Sequence, residues 1–172
     1  MIKPITHNDR SMILNLLRQS GVFNTMEITV AMELVDEVLE KNNQEDYQTY
    51  SYYDDKKQFM GYICFGPIPM TDFCYDLYWI AVDKQARGKG AAAELVGFME
   101  KQVGRQGGSR IYVDTSSTPL YEAARRFYEK QGYSRVCILE DFYREGDSKI
   151  IFMKNIDASK QTNSGITIPK NE

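Results

Sequence analysis

Between Tyr75 and Val113 the chain passes from strand character to helix character and back, and this stretch constrains the fold more than any other. Tyr75–Val82 is rich in aromatic and β-branched residues, Leu95, Met99 and Val103 repeat at helical spacing, and Ile111–Val113 returns to strand. A strand, helix, strand crossover joins parallel neighbours, because an antiparallel pair would need only a short turn. Upstream, Tyr47–Tyr53 and Phe59–Phe65 flank Asp54-Asp55-Lys56-Lys57, the pattern of an antiparallel hairpin, and Gly66-Pro67-Ile68-Pro69 turns the chain into Tyr75–Val82. One sheet therefore holds both kinds of pairing.

A short apolar start precedes two helices, one over Met12–Leu17 and one carrying Ile28, Met32, Val35 and Leu39, with Asn24 and Glu27 spaced as an N-terminal cap. Thr118 and Pro119 suit the cap and first turn of a later helix that runs to Gln131 and stops at Gly132. Val136–Leu139 and Lys149–Met153 supply two closing strands. With 172 residues and 42% hydrophobic content the chain can bury one sizeable core, so a single domain over 1–157 is expected. Residues 158–172 are rich in Ser, Thr, Asn, Lys and Gln and read as a polar tail; Ile166-Thr167-Ile168 has the pattern of an edge strand, although a disordered end fits the composition better.

The net charge of −3 argues against a nucleic-acid partner, which calls for a basic face. No apolar run approaches the roughly 20 residues that a bilayer requires, and Met1-Ile2-Lys3-Pro4 lacks the build of a signal peptide, so no membrane partner and a cytoplasmic location are expected. Cys64, Cys74 and Cys137 are odd in number, widely spaced and set in apolar runs; they read as buried small hydrophobes, and no metal site is expected.

The segment with chemical content is Ile80-Ala81-Val82-Asp83-Lys84-Gln85-Ala86-Arg87-Gly88-Lys89-Gly90-Ala91-Ala92, a strand running through a glycine-bearing loop into a helix. Glycines let backbone N–H groups approach phosphate oxygens, the free amides of the first helical turn point outward, and the helix dipole attracts an anion. Arg87 and Lys89 add positive charge at the same place. A plain turn with a helix cap explains two glycines equally well. The Walker Lys-Ser/Thr ending and the three-glycine dinucleotide spacing are both missing.

Gln85-Ala86-Arg87-Gly88-Lys89-Gly90 resembles the Gln/Arg-x-x-Gly-x-Gly/Ala acetyl-CoA signature of the GNAT superfamily, placed directly after an Ile-Ala-Val strand end. Ala124-Arg125-Arg126-Phe127-Tyr128-Glu129-Lys130-Gln131-Gly132-Tyr133 is similar to the same family's Ala-x-x-(aromatic/Leu)-Tyr-Glu-x-x-Gly-(Phe/Tyr) helix. The resemblance spans roughly Ile2 to Ile156, and its specific part is Asp76 to Tyr133. Ala92 stands where many members have a further glycine. About four extra residues lie between Val113 and Ala124, so the asparagine common in that region has no assigned counterpart; Ser116, Ser117 or Thr118 stands nearby.

This resemblance implies an α/β (α+β) fold with a mixed, mainly antiparallel central sheet of six to seven strands, a splayed parallel pair, and about four flanking helices. It implies acetyl-CoA as cosubstrate, with Ile80, Ala81 and Val82 along the pantetheine and Gln85, Arg87, Gly88, Lys89, Gly90, Ala91 and Ala92 around the pyrophosphate. An N–H donor near Val82 would bind the thioester oxygen more tightly as it gains charge. Tyr128 corresponds to the tyrosine that protonates the departing thiolate, with simple packing on a core-facing helix stripe as the other reading. Tyr133 reads as a core aromatic.

The expected reaction carries an acetyl group to a primary amine of a small molecule or peptide. The residues Asp141-Phe142-Tyr143 and Ile150–Lys154 also resemble ribosomal-protein alanine N-acetyltransferases, which would make protein N-termini the acceptors. Freeing a lysine amine at pH 7 costs about 4.6 kcal/mol and an α-amine only about 1 kcal/mol, so the acceptor decides how strong a base is needed. Asp76, Tyr78 and Asp114 stand at strand ends where a base would be placed, and Asp76 is the leading candidate. His7 reads as a surface turn residue. Tyr47, Tyr50, Tyr52, Tyr53 and Trp79 fit sheet packing better than an acceptor pocket. Gly66–Asp72 fits either a mobile rim or a rigid connection. A non-catalytic acyl-CoA-binding or sensor domain is the alternative function, and a homodimer is compatible with the resemblance.

Overall fold

The computed structural model describes residues 1–41 and 45–156. In chain order these form β1 (Ile2–Pro4), α1 (His7–Ser20), α2 (Thr25–Lys41), β2 (Gln48–Tyr53), β3 (Phe59–Pro67), β4 (Cys74–Val82), α3 (Ala91–Arg105), β5 (Arg110–Ser116), α4 (Glu122–Lys130), β6 (Ser134–Arg144) and β7 (Asp147–Asn155). The described strands make one seven-stranded sheet in the order β1-β2-β3-β4-β5-β7-β6, in which only the β4–β5 pair is parallel. The polar tail expected from Ala158 onward, with its Ile166-Thr167-Ile168 segment, lies outside the described residues. No helix among the described residues is long and apolar enough to cross a membrane.

Local chemistry accounts for the element boundaries. Glu27 donates its backbone N–H to the Asn24 side chain at 2.9 Å and accepts the Asn24 N–H at 2.7 Å, so α2 starts on the reciprocal cap that the sequence pattern predicts. Asp54 turns the β2–β3 hairpin by accepting the amides of Lys56 and Gln58. Gly132, at φ 85°, takes the left-handed conformation just past α4.

Each face of the sheet has its own core. Leu95, Met99 and Val103 of α3 pack with Tyr128 and Tyr133 on Ile63, Phe65, Leu77, Val113 and Phe152. On the other face α1 and α2 bury Ile13, Leu17, Ala31 and Val35 against Tyr62, Cys64 and Ala81. Leu95, Met99 and Val103 are completely buried, so truncating one of them to alanine costs about 2–5 kcal/mol. Asp9, also completely buried, holds the Thr6 N–H at 2.7 Å and accepts the Tyr53 hydroxyl, tying the start of α1 to β2.

Some sequence expectations are corrected and others are met. Thr118 and Pro119 do not open α4: the Thr118 hydroxyl bonds Ser116, a 3₁₀ turn fills Pro119–Tyr121, and α4 begins only at Glu122. His7 is exposed, but it is the first residue of α1 and not part of a turn. Cys64 is buried and its thiol is pushed up to about 12 by desolvation, whereas Cys137 is exposed, because its apolar run forms the sheet's outer edge. Segment Gly66–Asp72 is a hydrogen-bonded turn: the Ile68 N–H donates to Cys74 O, and the Thr71 hydroxyl and N–H both donate to Ile68 O. Trp79 packs against Phe23, Tyr47 against Tyr78, and Tyr50 against Phe65 and Phe98, which is sheet packing.

Candidate active site

β4 and β5 run side by side for four residue pairs, from Cys74↔Arg110 to Leu77↔Val113, and then separate. Beyond Leu77, β4 continues to Val82 paired only with β3, while Asp114, Thr115 and Ser116 pair only with β7. A bulge marks the point of departure. Cys64 faces Trp79 and Phe65 faces Leu77, so Tyr78 is the extra residue, and Tyr78 and Trp79 both pack against the core of α1 and α2. An extra residue bends a strand and increases its twist, which turns the end of β4 away from β5. The backbone groups of Tyr78–Val82 on the β5 side are left without a ladder partner, along a gap between the two strands.

At the mouth of this gap the chain makes a 3₁₀ turn, Lys84–Ala86, capped by Asp83, whose carboxylate accepts the Gln85 N–H at 2.7 Å. Ala86 is buried and anchors the turn, while Gln85, Arg87, Gly88, Lys89 and Gly90 are exposed. Gly88 and Gly90 have φ of 74° and 88°, the left-handed region, and a Cβ added at either would meet nothing within 4 Å. Backbone conformation, not crowding, therefore requires glycine there, and the space in front of the loop is open. Gly90 cannot cap α3 with a side chain, and the first hydrogen bond of the helix runs from Glu94 N–H to Gly90 O at 2.9 Å. The amides of Ala91, Ala92 and Ala93 thus lack helix partners and point out beside the Arg87 and Lys89 cations. Beside this loop lies a cleft of ≈ 390 Å³ between Leu16, Gln19 and Ser20 of α1 and the Val82–Gln85 segment with Arg87.

Tyr128 stands beneath the point where the gap opens. Its ring packs on Tyr133, Phe127 and Phe152, and Phe152 is the β7 partner of Val113, the last β5 residue joined to β4. The residue is 6% exposed, and its hydroxyl, without a hydrogen-bond partner among the described residues, keeps some access to solvent. Burial raises the phenol above its ordinary value, so the group keeps its proton at neutral pH. Tyr133 is buried in the same cluster, as expected for a core aromatic.

Asp76 lies on the opposite face, alternating with Tyr75 and Leu77 of the α3 core. Burial first, and the Asp114 charge second, push its carboxyl up to about 6, while Lys149 pulls the other way. Lys149 is ion-paired with Asp114 and sits 4.9 Å above the Phe142 ring. Of the three candidate bases, Asp76 and Asp114 are thus brought together, and Tyr78 beside them is pushed up to about 12, mainly by burial. Asp76 and Tyr128 lie on opposite faces of the sheet, Asp76 one residue before the last β4–β5 pair.

Some contacts here had no local signal. The Tyr121 hydroxyl donates to Glu27 at 2.7 Å, joining the β5–α4 connection to the start of α2 across 94 residues. Arg125 donates to the carbonyls of Ser116 and Thr118, and Ser116 donates to the buried Asp147. The Ser116–Thr118 segment, which sequence left as the neighbourhood of a missing asparagine, is therefore held by its own hydrogen bonds. Only the Arg125 position inside a recognisable helix motif hinted at such a tie.

The residues of the gap and loop fit an acyl-CoA: unpaired strand amides for an extended arm, and open helix amides with two cations for a pyrophosphate. Comparison with known proteins identifies the family and the fold. The model of the Acetyltransferase (GNAT) family matches residues 15–133, more than half of the chain. No curated protein aligns significantly with it. Among solved structures, a Desulfovibrio desulfuricans protein assigned to the GNAT acetyltransferases superposes with a TM-score of 0.84 at 33% identity, covering 91% of this chain and 99% of that one. An aminoglycoside 6'-N-acetyltransferase complexed with coenzyme A gives a TM-score of 0.69 at 22% identity, over 100% and 99% of the two chains. The ribosomal-protein-S18-alanine N-acetyltransferase of Escherichia coli gives 0.70 at 18%, over 91% and 93%, a likeness of fold alone. With its family match, its splayed parallel pair and its glycine loop, this chain belongs to the GNAT acetyltransferase family.

Proposed function

We infer that the protein transfers an acetyl group from acetyl-CoA to a primary amine of a small molecule or peptide, in a ternary complex. The observation that carries this reading is the gap between β4 and β5, with the amides of the Gly88–Gly90 loop at its mouth and a largely buried tyrosine beneath it whose hydroxyl has no partner among the described residues. Acetyl-CoA, when bound, supplies a thioester carbonyl carbon to which the amine nitrogen bonds as the carbon–sulfur bond breaks.

The chain's own residues position and move protons. Ile80, Ala81 and Val82 offer unpaired backbone groups along the pantetheine arm, and a donor at this level stabilises the carbonyl oxygen as it gains charge. Ala91 and Ala92, with Arg87 and Lys89, hold the pyrophosphate. The incoming ammonium sheds two protons. Asp76 takes one and passes it to solvent, while the Tyr128 hydroxyl gives its proton to the departing sulfur and is restored by the second. With its carboxyl near 6, Asp76 is about 2 units less basic than an α-amine and about 4 less basic than lysine, a difference in proton-transfer cost of about 3 kcal/mol. The α-amine is accordingly the favoured acceptor class.

Calorimetry with acetyl-CoA, comparing the protein with a Gly88→Asp, Gly90→Asp variant, tests the cofactor site. Binding that is lost in the still-folded variant is the expected result, and no binding by the parent protein would remove the proposal. Tyr128→Phe then separates an enzyme from a CoA-binding sensor: turnover should fall at least tenfold with CoA affinity within a factor of about three. Unchanged turnover with chemistry rate-limiting would refute the acid role.

A further inference from the structure

We propose that the acceptor amine stands beside an aromatic or other large apolar side chain and has no carboxylate next to it, recognised by a lip made of Tyr121, Phe142 and Tyr143. This inference rests on the transferase reading above and adds to it the chemistry of the acceptor. Phe142 and Tyr143 are 54% and 45% exposed, and neither belongs to either core, so packing does not account for them. In a regular strand consecutive side chains point to opposite faces, but β6 loses its register between Leu139 and Arg144, and Asp141 takes φ 51°. The two rings therefore lie together, edge to face, with centroids 5.1 Å apart.

A chain of contacts ties this lip to the gap. The Lys149 ammonium lies 4.9 Å from the centre of the Phe142 ring and is ion-paired with Asp114, whose charge acts on Asp76, one residue before the last β4–β5 pair. Burial first, then the charges of Asp114, Asp147 and Glu27, raise the Tyr143 phenol, so these three carboxylates lie near its hydroxyl. Glu27 in turn accepts the Tyr121 hydroxyl at 2.7 Å, a bond from α2, which packs on the β3 and β4 side of the sheet, to the connection that follows β5. The charge balance here defines the occupant. Asp114 is paired with Lys149 and Asp147 with Arg144, but Glu27 and Asp76 have no ion pair among the described residues. The lip is thus apolar at its rim and negative within. An ammonium is drawn in, and a carboxylate beside it is repelled. A large apolar neighbour covers the exposed rings of Phe142 and Tyr143, to whose faces the ammonium is also attracted. A polyhydroxylated amine would leave both rings in water.

Release of the CoA thiol from acetyl-CoA, followed with tripeptide amides that open with phenylalanine, glycine or aspartate, tests this. The α-amines of the three are similar in basicity, so kcat/KM reports recognition of the first side chain. Phenylalanine should exceed glycine at least tenfold, and glycine should exceed aspartate at least tenfold. Phenylalanine amide separates two sources of such an amine: turnover equal to that of the tripeptide assigns a small molecule, and a large preference for the tripeptide assigns a peptide. Phe142→Ala with Tyr143→Ala should reduce the ratio of phenylalanine to glycine below threefold. Glu27→Gln keeps the helix cap and the Tyr121 bond, since glutamine accepts both hydrogen bonds, and should raise use of the aspartate peptide relative to the glycine peptide at least threefold. A protein that binds acetyl-CoA but acetylates no primary amine, a lysine amide and an amino sugar included, overturns the transferase reading and this inference with it. Preference for the amino sugar, equal use of phenylalanine and glycine, or a phenylalanine preference that survives the double substitution overturns this inference and leaves that reading standing.

Discussion

Replacing Asp76 with asparagine should make the protein slower and more stable at once. The carboxyl is raised from 3.8 to about 6, chiefly by burial. A raised folded-state value means that the native protein binds this proton more tightly than the unfolded chain does. Ionising the group therefore works against the fold: stability is greatest below 3.8, falls as pH rises through about 6, and stays reduced above it. The two-unit difference is about 3 kcal/mol, or about 2 kcal/mol once solvent screening of a partly exposed group is allowed for. Asp76→Asn removes the ionisation, so melting at pH 8 should rise by about 5 °C, with no gain at pH 4. In the same variant kcat/KM for an α-amine acceptor, followed by release of the CoA thiol, should fall about 100-fold or more and lose the limb that breaks near pH 6 in the parent. A variant that keeps this break and turns over within threefold of the parent would refute the assignment of Asp76 as base. An unchanged melting temperature at both pH values would refute the burial argument.

Two further variants test the neighbouring charges. Lys149→Met withdraws the cation that favours Asp76 ionisation and should move the acidic break in the pH–rate profile upward, whereas Asp114→Asn should move it downward; movement in the same direction would show that these charges do not govern Asp76. Asn24→Ala removes the acceptor for the Glu27 amide and should lower the free energy of chemical unfolding by about 1 kcal/mol, with an unchanged midpoint counting against the capping account.

The glycine loop and the α4 motif are readable from the chain because their chemistry is local: Gly88 and Gly90 take the positive φ that their residue type permits, and Tyr128 follows Ala124 by one helical turn. The alternation of patterns likewise foretold the parallel pair and the order of elements. What the chain did not disclose depends on single-residue offsets or distant partners. Tyr78 is an unremarkable member of an aromatic run until Cys64 and Phe65 reveal it as the bulge that opens the gap. Thr118 has a cap's chemistry, but Ser116 competes for its hydroxyl and delays α4 to Glu122. Cys137 looked like core because Val136–Leu139 is apolar; composition does not say whether such a strand lies inside the sheet or at its end. The bond between Tyr121 and Glu27 joins residues whose local patterns carry no trace of each other.

Mechanically the sheet is two stiff plates, β1 to β4 and β5 to β6, sharing a seam of four residue pairs. Along the strand direction everything past Leu77 and Val113 is a joint, kept at its angle by the core of α3 and α4, which takes residues from both plates, whereas α1 and α2 pack on the β1 to β4 plate alone. A ligand that lies in that joint and bonds to both margins acts as a missing structural member, and its binding energy goes partly into rigidity. The slowest-exchanging amides of each plate should then become a single protected set when the joint is filled, so the ligand would be read as an eighth strand supplied from outside the chain.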